Sequence, residues 1–167
     1  LSIPSLPGPM SQPFGTQNVA ISADGSRVAY SSQNQLWIRR LDEPAAAAAN
    51  VVGSNPFFSP DGVWVGFFDT RSELGLAKVS VLGGAPLPIA RQSERPAGAT
   101  WGADGTIVFA TAEGLFRVSE NGGEPQMLAK PDRARKERLY AWPQFMPDGQ
   151  FVLFTVVGFS DSEKVST

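Results

Sequence analysis

The sequence predicts an all-β repeat protein, a partial β-propeller of about three and a half four-stranded antiparallel blades. Three observations predict it. Four Asp-Gly pairs recur at Asp24-Gly25, Asp61-Gly62, Asp104-Gly105 and Asp148-Gly149, in steps of 37, 43 and 44 residues. Each pair precedes an apolar strand-like run, such as Val63-Trp64-Val65-Gly66-Phe67. A second turn repeats as well: Leu82-Gly83-Gly84-Ala85-Pro86 matches Asn121-Gly122-Gly123-Glu124-Pro125, 39 residues on. Units of about 40 residues with several short strands carry the period of propeller blades.

Each unit opens with a short strand, a tight turn and a longer strand. Asp24, Gly25, Asp61, Gly62, Asp104, Gly105, Asp148 and Gly149 are the expected turn residues. Gly takes a positive φ without a Cβ clash, and Asp caps or tolerates the bend. The second strand is apolar on both faces, as expected for sheets stacked on both sides. A third strand follows at Gln35–Arg40, Gly75–Ser80 and Gly114–Ser119. An outer strand closes the unit, as at Leu87–Ala90 and Gln126–Ala129. Proline is acceptable there because the strand is an edge.

The expected divisions are an N-terminal extended segment at 1–17, blades at 18–53, 54–96 and 97–130, a half blade at 141–157, and a C-terminal tail at 158–167. Segment 1–17 is Pro-, Gly- and Ser-rich and lacks the charged start of a signal peptide. Its expected place is along a sheet edge. The stretch Ala45 to Ala49 has helical propensity, but its shortness favours a loop or an irregular outer strand. Closed propellers need about four to eight blades. Half a ring leaves an apolar blade face open, an association surface that implies a homodimer or a missing remainder.

Composition narrows the chemistry. The net charge of -2 lacks the basic footprint that nucleic acid requires. There is no cysteine and no histidine, so disulfides, thiolates, His bases and His ligands drop out. No apolar run is long enough to span a bilayer, so no membrane insertion of this segment is expected.

The repeat resembles the WD-repeat-like β-propeller of the TolB type. The resemblance rests on Phe58-Ser59-Pro60-Asp61-Gly62, on Met146-Pro147-Asp148-Gly149 and on the Gly-Gly-x-Pro turns, and covers roughly residues 18–157. Leu36-Trp37-Ile38-Arg39, Gly114-Leu115-Phe116-Arg117-Val118 and Trp142-Pro143-Gln144-Phe145 are similar to the propeller attached to many bacterial serine/threonine protein kinases. There the propeller stands across a membrane helix from the kinase. The resemblance implies the N-terminal half of such a propeller in a periplasmic or extracytoplasmic setting. Tyr140-Ala141 stand where that group often carries a His before the Trp-Pro pair. The kinase's own motifs are absent.

Four positive charges mark Asp132-Arg133-Ala134-Arg135-Lys136-Glu137-Arg138-Leu139-Tyr140 as the candidate partner site. Arg133, Arg135, Arg138 and Tyr140 would hold an acidic group at the channel end of a blade connection. The competing reading is a solvated surface loop. Trp37, Trp64, Trp101 and Trp142 are expected in the packing between blades rather than as ligand platforms. The four turn Asp residues would stand too far apart to share a metal ion. The carboxylate pairs Asp69/Glu73 and Asp161/Glu163 carry little case for a glycosidase mechanism.

The expectation is a non-enzymatic recognition or scaffold module with no cofactor, no metal and no catalytic residues. Its partner is a protein, a peptide or a cell-envelope ligand. Two alternatives stand beside it. One is a half propeller that closes into a ring with a second copy. The other is a propeller hydrolase that borrows carboxylates from further blades.

Overall fold

A computed structural model describes residues 18–43, 47–69, 75–91 and 94–159. The N-terminal segment 1–17, Glu73, Asp161, Glu163 and the tail from 160 lie outside the described residues. Among the described residues thirteen antiparallel strands follow one another, each paired with its predecessor within a sheet. The first blade is β1 (Val19–Ile21), β2 (Arg27–Ser32), β3 (Gln35–Arg40) and the front of β4 (Ala47–Phe58). The second is the back of β4 with β5 (Trp64–Asp69), β6 (Leu76–Ser80) and β7 (Leu87–Ala90). The third is β8 (Pro96–Trp101), β9 (Thr106–Thr111), β10 (Leu115–Ser119) and β11 (Gln126–Ala129). A two-stranded half blade, β12 (Glu137–Phe145) and β13 (Val152–Gly158), ends the described fold.

Strand β4 belongs to two blades. Ala47, Ala48 and Val52 pair with β3, whereas Gly53, Ser54, Phe57 and Phe58 pair with β5. Positive φ values at Asn50 (55°) and Asn55 (52°) turn the chain from one blade into the next. Asn enters this left-handed region more readily than other side chains do. Ala47 to Ala49 are therefore strand, because cross-strand pairing outweighs a weak helical propensity.

Side chains alternate across each sheet and fill the gaps between sheets. Val65, Phe67, Ala77 and Val79 pack back against Ala29, Leu36 and Ile38 of the first blade. Phe68 and Leu76, on the other face, pack forward against Trp101, Ile107 and Phe109 of the third. Val108, Ala110 and Leu115 then meet Tyr140, Ala141 and Val152 of the half blade. Each fully buried Phe, Leu, Ile or Val contributes about 1.5–3 kcal/mol.

All four Asp-Gly pairs close hairpins, with φ between 68° and 79° at Gly25, Gly62, Gly105 and Gly149. In three of them the loop closes from Ser22 to Arg27, from Ser59 to Trp64 and from Met146 to Phe151. The third blade closes from Gly102 to Thr106, one residue shorter. Such a slip exchanges the two faces of the following strand. Ile107 thus packs backward as Val65 does, although it follows its Asp at the same distance as the forward-facing Trp64.

Candidate functional site

The innermost strands β1, β4, β8 and β12 converge on a cleft of about 560 Å³. Its wall repeats one stretch of each unit, the residues just before the Asp-Gly turn. Ile21, Phe58, Trp101 and Phe145 stand three residues before their Asp, and all four line it. Ser59, Thr100 and Gln144 add polar groups, and the Thr100 hydroxyl accepts the Phe145 N–H at 3.2 Å. Of the four turn Asp residues, Asp148 reaches this wall.

The turn carboxylates are occupied by their own hairpins. Asp24 accepts the Ser22 hydroxyl at 2.5 Å and the Ser26 N–H at 3.0 Å. Asp61 repeats this with the Ser59 hydroxyl at 2.5 Å and the Val63 N–H at 3.0 Å. Asp104 accepts the N–H and the hydroxyl of Thr106, both at 2.9 Å. Asp148 accepts the Gln150 N–H at 3.0 Å. The donors to Asp24, Asp61 and Asp104 favour the ionised form. The Ser22 hydroxyl, chiefly, holds Asp24 far below the usual carboxylate range. The Ser59 hydroxyl first lowers Asp61, and the Thr106 N–H first lowers Asp104.

The charged run behaves differently along its length. Asp132 caps a 3-10 turn, Arg133–Arg135, by accepting the Ala134 N–H at 2.9 Å. Lys136 ends the turn with φ 59°. From Glu137 the chain is strand β12, paired with β13, rather than loop. The alternation of Leu139 with buried Tyr140 is what the pairing uses. Arg133, Arg135 and Arg138 are exposed. The Arg133 guanidinium lies 5.5 Å from the centre of the Phe159 ring and donates to the Glu137 carbonyl at 3.3 Å. Only Arg133 of the four expected residues lines the adjacent cavity of about 710 Å³, with Glu113, Lys130 and Asp132.

Tyr140 is 8% exposed and faces inward. Its hydroxyl lies 2.8 Å from Glu137 Oε2 and 3.0 Å from the Lys130 carbonyl, and shares its proton between them. The Asp132 N–H donates to the same Glu137 oxygen at 2.8 Å. Glu137 is lowered by that N–H and then by the Tyr140 hydroxyl, and the bond to Glu137 raises Tyr140. Tyr140 therefore ties the turn to the strand, while the three arginines face solvent.

The tryptophans divide too. Trp101 is 6% exposed, and its Nε1–H donates to Glu120 Oε2 at 2.8 Å. Lys78 Nζ sits 5.2 Å from the Trp64 ring and 5.6 Å from the Trp101 ring, and donates to the Glu120 carbonyl at 2.9 Å. This cluster clamps the second blade to the third. Trp142, expected in the packing, is instead 36% exposed with φ 52°. It stands six residues before its Asp, where the other units carry Asn18, Asn55 and Gly98. Asn55 and Gly98 also have positive φ, so this bulge recurs and carries Trp142 outward. Gly98 packs under it: a Cβ there would come 3.1 Å from Trp142 Cα. Equivalence to Gly98 was the signal available in the sequence.

Among solved structures, the chain is similar to TolB from Acinetobacter baumannii, with a TM-score of 0.65 at 18% identity over 83% of this chain and 37% of that one. The fold is that of a TolB-type β-propeller, present in part. A structural-genomics protein of unknown function from Bacteroides thetaiotaomicron gives 0.59 at 14% identity, over 86% of this chain and 42% of that one. Dihydro-heme d1 dehydrogenase NirN, in complex with DHE, gives 0.56 at 19% identity, over 85% and 32%. The chain thus spans about a third to two fifths of these proteins. At such identities the likeness concerns fold alone. No protein-family model matches the sequence, and no curated protein is similar to it.

Proposed function

We propose that this chain is a non-enzymatic recognition module, the sensor-side part of a larger bacterial protein such as a membrane-anchored kinase. Its partner is a protein, peptide or cell-envelope ligand. One observation carries the reading: four successive innermost strands present equivalent positions to one cleft, where Ile21, Phe58, Trp101 and Phe145 gather beside Ser59, Thr100 and Gln144. An apolar concave wall with a few polar groups binds by burying apolar surface and orients its ligand through hydrogen bonds. The exposed Arg133, Arg135 and Arg138 would add an acidic-group contact through charge-assisted hydrogen bonds. The link to a kinase rests on the Trp142-Pro143-Gln144-Phe145 resemblance.

Among the described residues no group of three or more His, Cys, Asp or Glu is arranged to hold a metal ion. Among them, too, no helix is long and apolar enough to cross a membrane.

The test is selection of random peptides displayed on phage against the immobilised chain, followed by calorimetry on the enriched peptides. Ile21→Ser and Gln144→Ala should each weaken binding by about tenfold while leaving the melting temperature unchanged. Binding untouched by either substitution, or no enrichment at all, would refute the cleft as the recognition site. Separately, Arg133→Ala and Arg135→Ala assign or dismiss the charged turn.

A further inference from the structure

The turn between β10 and β11 carries Asn121-Gly122 and closes where the Gly122 N–H donates to the Ser119 carbonyl at 2.9 Å. Asn121 is exposed. Its backbone N–H donates to the Ser119 hydroxyl at 3.2 Å, but none of the described residues engages its side-chain amide. A glycine that follows an asparagine leaves its own backbone nitrogen unshielded, because it has no Cβ. The other four asparagines are followed by Val19, Gln35, Val51 and Pro56. The first three shield that nitrogen with a side chain, and proline has no N–H to give up. The Asp-Gly turns have the glycine but a poorer electrophile. Hairpin donors hold Asp24, Asp61 and Asp104 in the ionised form, and Asp148 accepts the Gln150 N–H. A carboxylate anion resists nucleophilic attack, whereas a neutral amide does not. The matching turn of the second blade closes from Ser80 to Gly83 with Leu82 in the place of Asn121.

We propose that Asn121 is a site of spontaneous deamidation, and that its isoaspartyl product loosens the contact between the second and third blades. An exposed turn opens locally at small cost. When this one opens, the Gly122 nitrogen gives its proton to solvent base and attacks the Asn121 side-chain carbonyl carbon. The new C–N bond displaces ammonia and closes a five-membered succinimide. Water then breaks one of the two ring C–N bonds. Breaking it at the side-chain carbonyl leaves aspartate. Breaking it at the backbone carbonyl leaves isoaspartate, whose main chain runs through the former side chain and is longer by one methylene. The net change is hydrolysis: water enters, ammonium leaves, and a neutral amide becomes a carboxylate.

The place of Asn121 gives the product its effect, because both of its neighbours touch the second blade. On one side, the Glu120 carbonyl accepts Lys78 Nζ at 2.9 Å, and Glu120 Oε2 accepts the Trp101 Nε1–H at 2.8 Å. On the other, Gly122 lies so close to β7 that a Cβ on it would come 3.1 Å from the Ile89 carbonyl oxygen. A methylene inserted between Glu120 and Gly122 must displace one of these two contacts.

The test is to age the native chain and Asn121→Gln in warm buffer at mildly acidic and mildly alkaline pH. Peptide mapping by mass spectrometry and labelling by an isoaspartate-specific methyltransferase read the result. Gln sets its carbonyl one methylene further out and needs a six-membered ring, which forms far more slowly. The native chain should exchange NH2 for OH at Asn121, as a mixture of aspartate and isoaspartate, and faster at alkaline pH. Asn121→Gln should lose the conversion. An intact Asn121 after ageing, or equal conversion at Asn18, Asn34, Asn50 or Asn55, would overturn the assignment. The consequence is read by thermal denaturation of the isoaspartyl form, separated from the native chain by ion exchange. It should melt below the native chain, whereas Asn121→Asp, which adds the charge without the methylene, should melt with it. An isoaspartyl form as stable as the native chain, or an equal loss in Asn121→Asp, would overturn the loosened contact.

Discussion

Strands β9 and β13 hold the same place in successive units and have nearly the same apolar character, yet one is enclosed and the other lies open. Ile107 to Thr111 of β9 are all buried, between the second blade and the half blade. Of Val152 to Gly158 in β13, only Val152 and Val157 are half-buried, and the rest are exposed. The difference lies in the neighbours. A strand apolar on both faces needs a sheet on each side. Its sequence therefore encodes a requirement for packing as much as a position. In β9 the requirement is met by Phe68 on one face and Tyr140 on the other. In β13, among the described residues, it is met on the β12 side alone.

The sharpest way to break this comparison is to truncate in parallel Phe109 of β9 and Phe151, the residue just before β13. Phe109 is 1% exposed, against Phe68 and stacked on Phe116 at 5.5 Å. Phe109→Ala should cost about 3–5 kcal/mol. Phe151→Ala should fall within about 0.5 kcal/mol in dilute monomer. Urea denaturation of both variants measures the contrast, and equal costs would remove it.

A second comparison concerns substitution by alanine at equivalent positions. Gly66 and Leu153 both stand five residues after their Asp, in loops of equal length. A Cβ on Gly66 would run into the Phe57 ring. Gly66→Ala should therefore destabilise by about 1–3 kcal/mol, whereas Leu153→Ala should leave the melting temperature of the monomer nearly unchanged. Thermal denaturation followed by circular dichroism reads both.

The turns give a smaller effect. Gly62 has φ 68°, with the Ser22 Cβ 3.8 Å from where its own Cβ would stand. Space is adequate, so strain alone acts. Gly62→Val should cost about 1 kcal/mol or more, and an unchanged melting temperature would refute the backbone argument. Gly149→Val, in open surroundings at φ 70°, should cost a similar amount.

The mildest effect is an acid dependence. Asp24, Asp61 and Asp104 are lowered from 3.8 by donors within their hairpins. A carboxylate lowered in the folded state contributes stability above its unfolded value, and that contribution disappears as pH falls through the folded value. The melting temperature should hold from neutral pH to about pH 4 and then decline. Asp104→Asn should make the decline shallower. Rising stability below pH 4 would contradict the sign.

Much of this fold was legible because the repeat spells out its own punctuation. Outer strands β7 and β11 follow from the Gly-Gly-x-Pro turns, and β3 from Gln35–Arg40. Three features were not legible, each for a physical reason. The start of β12 at Glu137 hides in a charged run, because only the pairing with β13 shows that Leu139 and Tyr140 are strand residues. The exposure of Trp142 contradicts the usual burial of a large aromatic, because a recurrent bulge fixes its backbone at φ 52°. The cleft gathers residues from Val19 to Gly149 that only the topology makes neighbours. The three arginines of the expected partner site are exposed, but Tyr140 is committed to Glu137 and Lys130.

The most direct test of the central claim is amide hydrogen exchange of β9 and β13 in the same sample, at low and high protein concentration. A strand enclosed on both sides exchanges only through large openings, and an open edge exchanges locally. The account predicts slow exchange in β9 at every concentration. It predicts fast exchange at alternate amides of β13 in dilute protein. Equal protection of the two strands in dilute protein would contradict it.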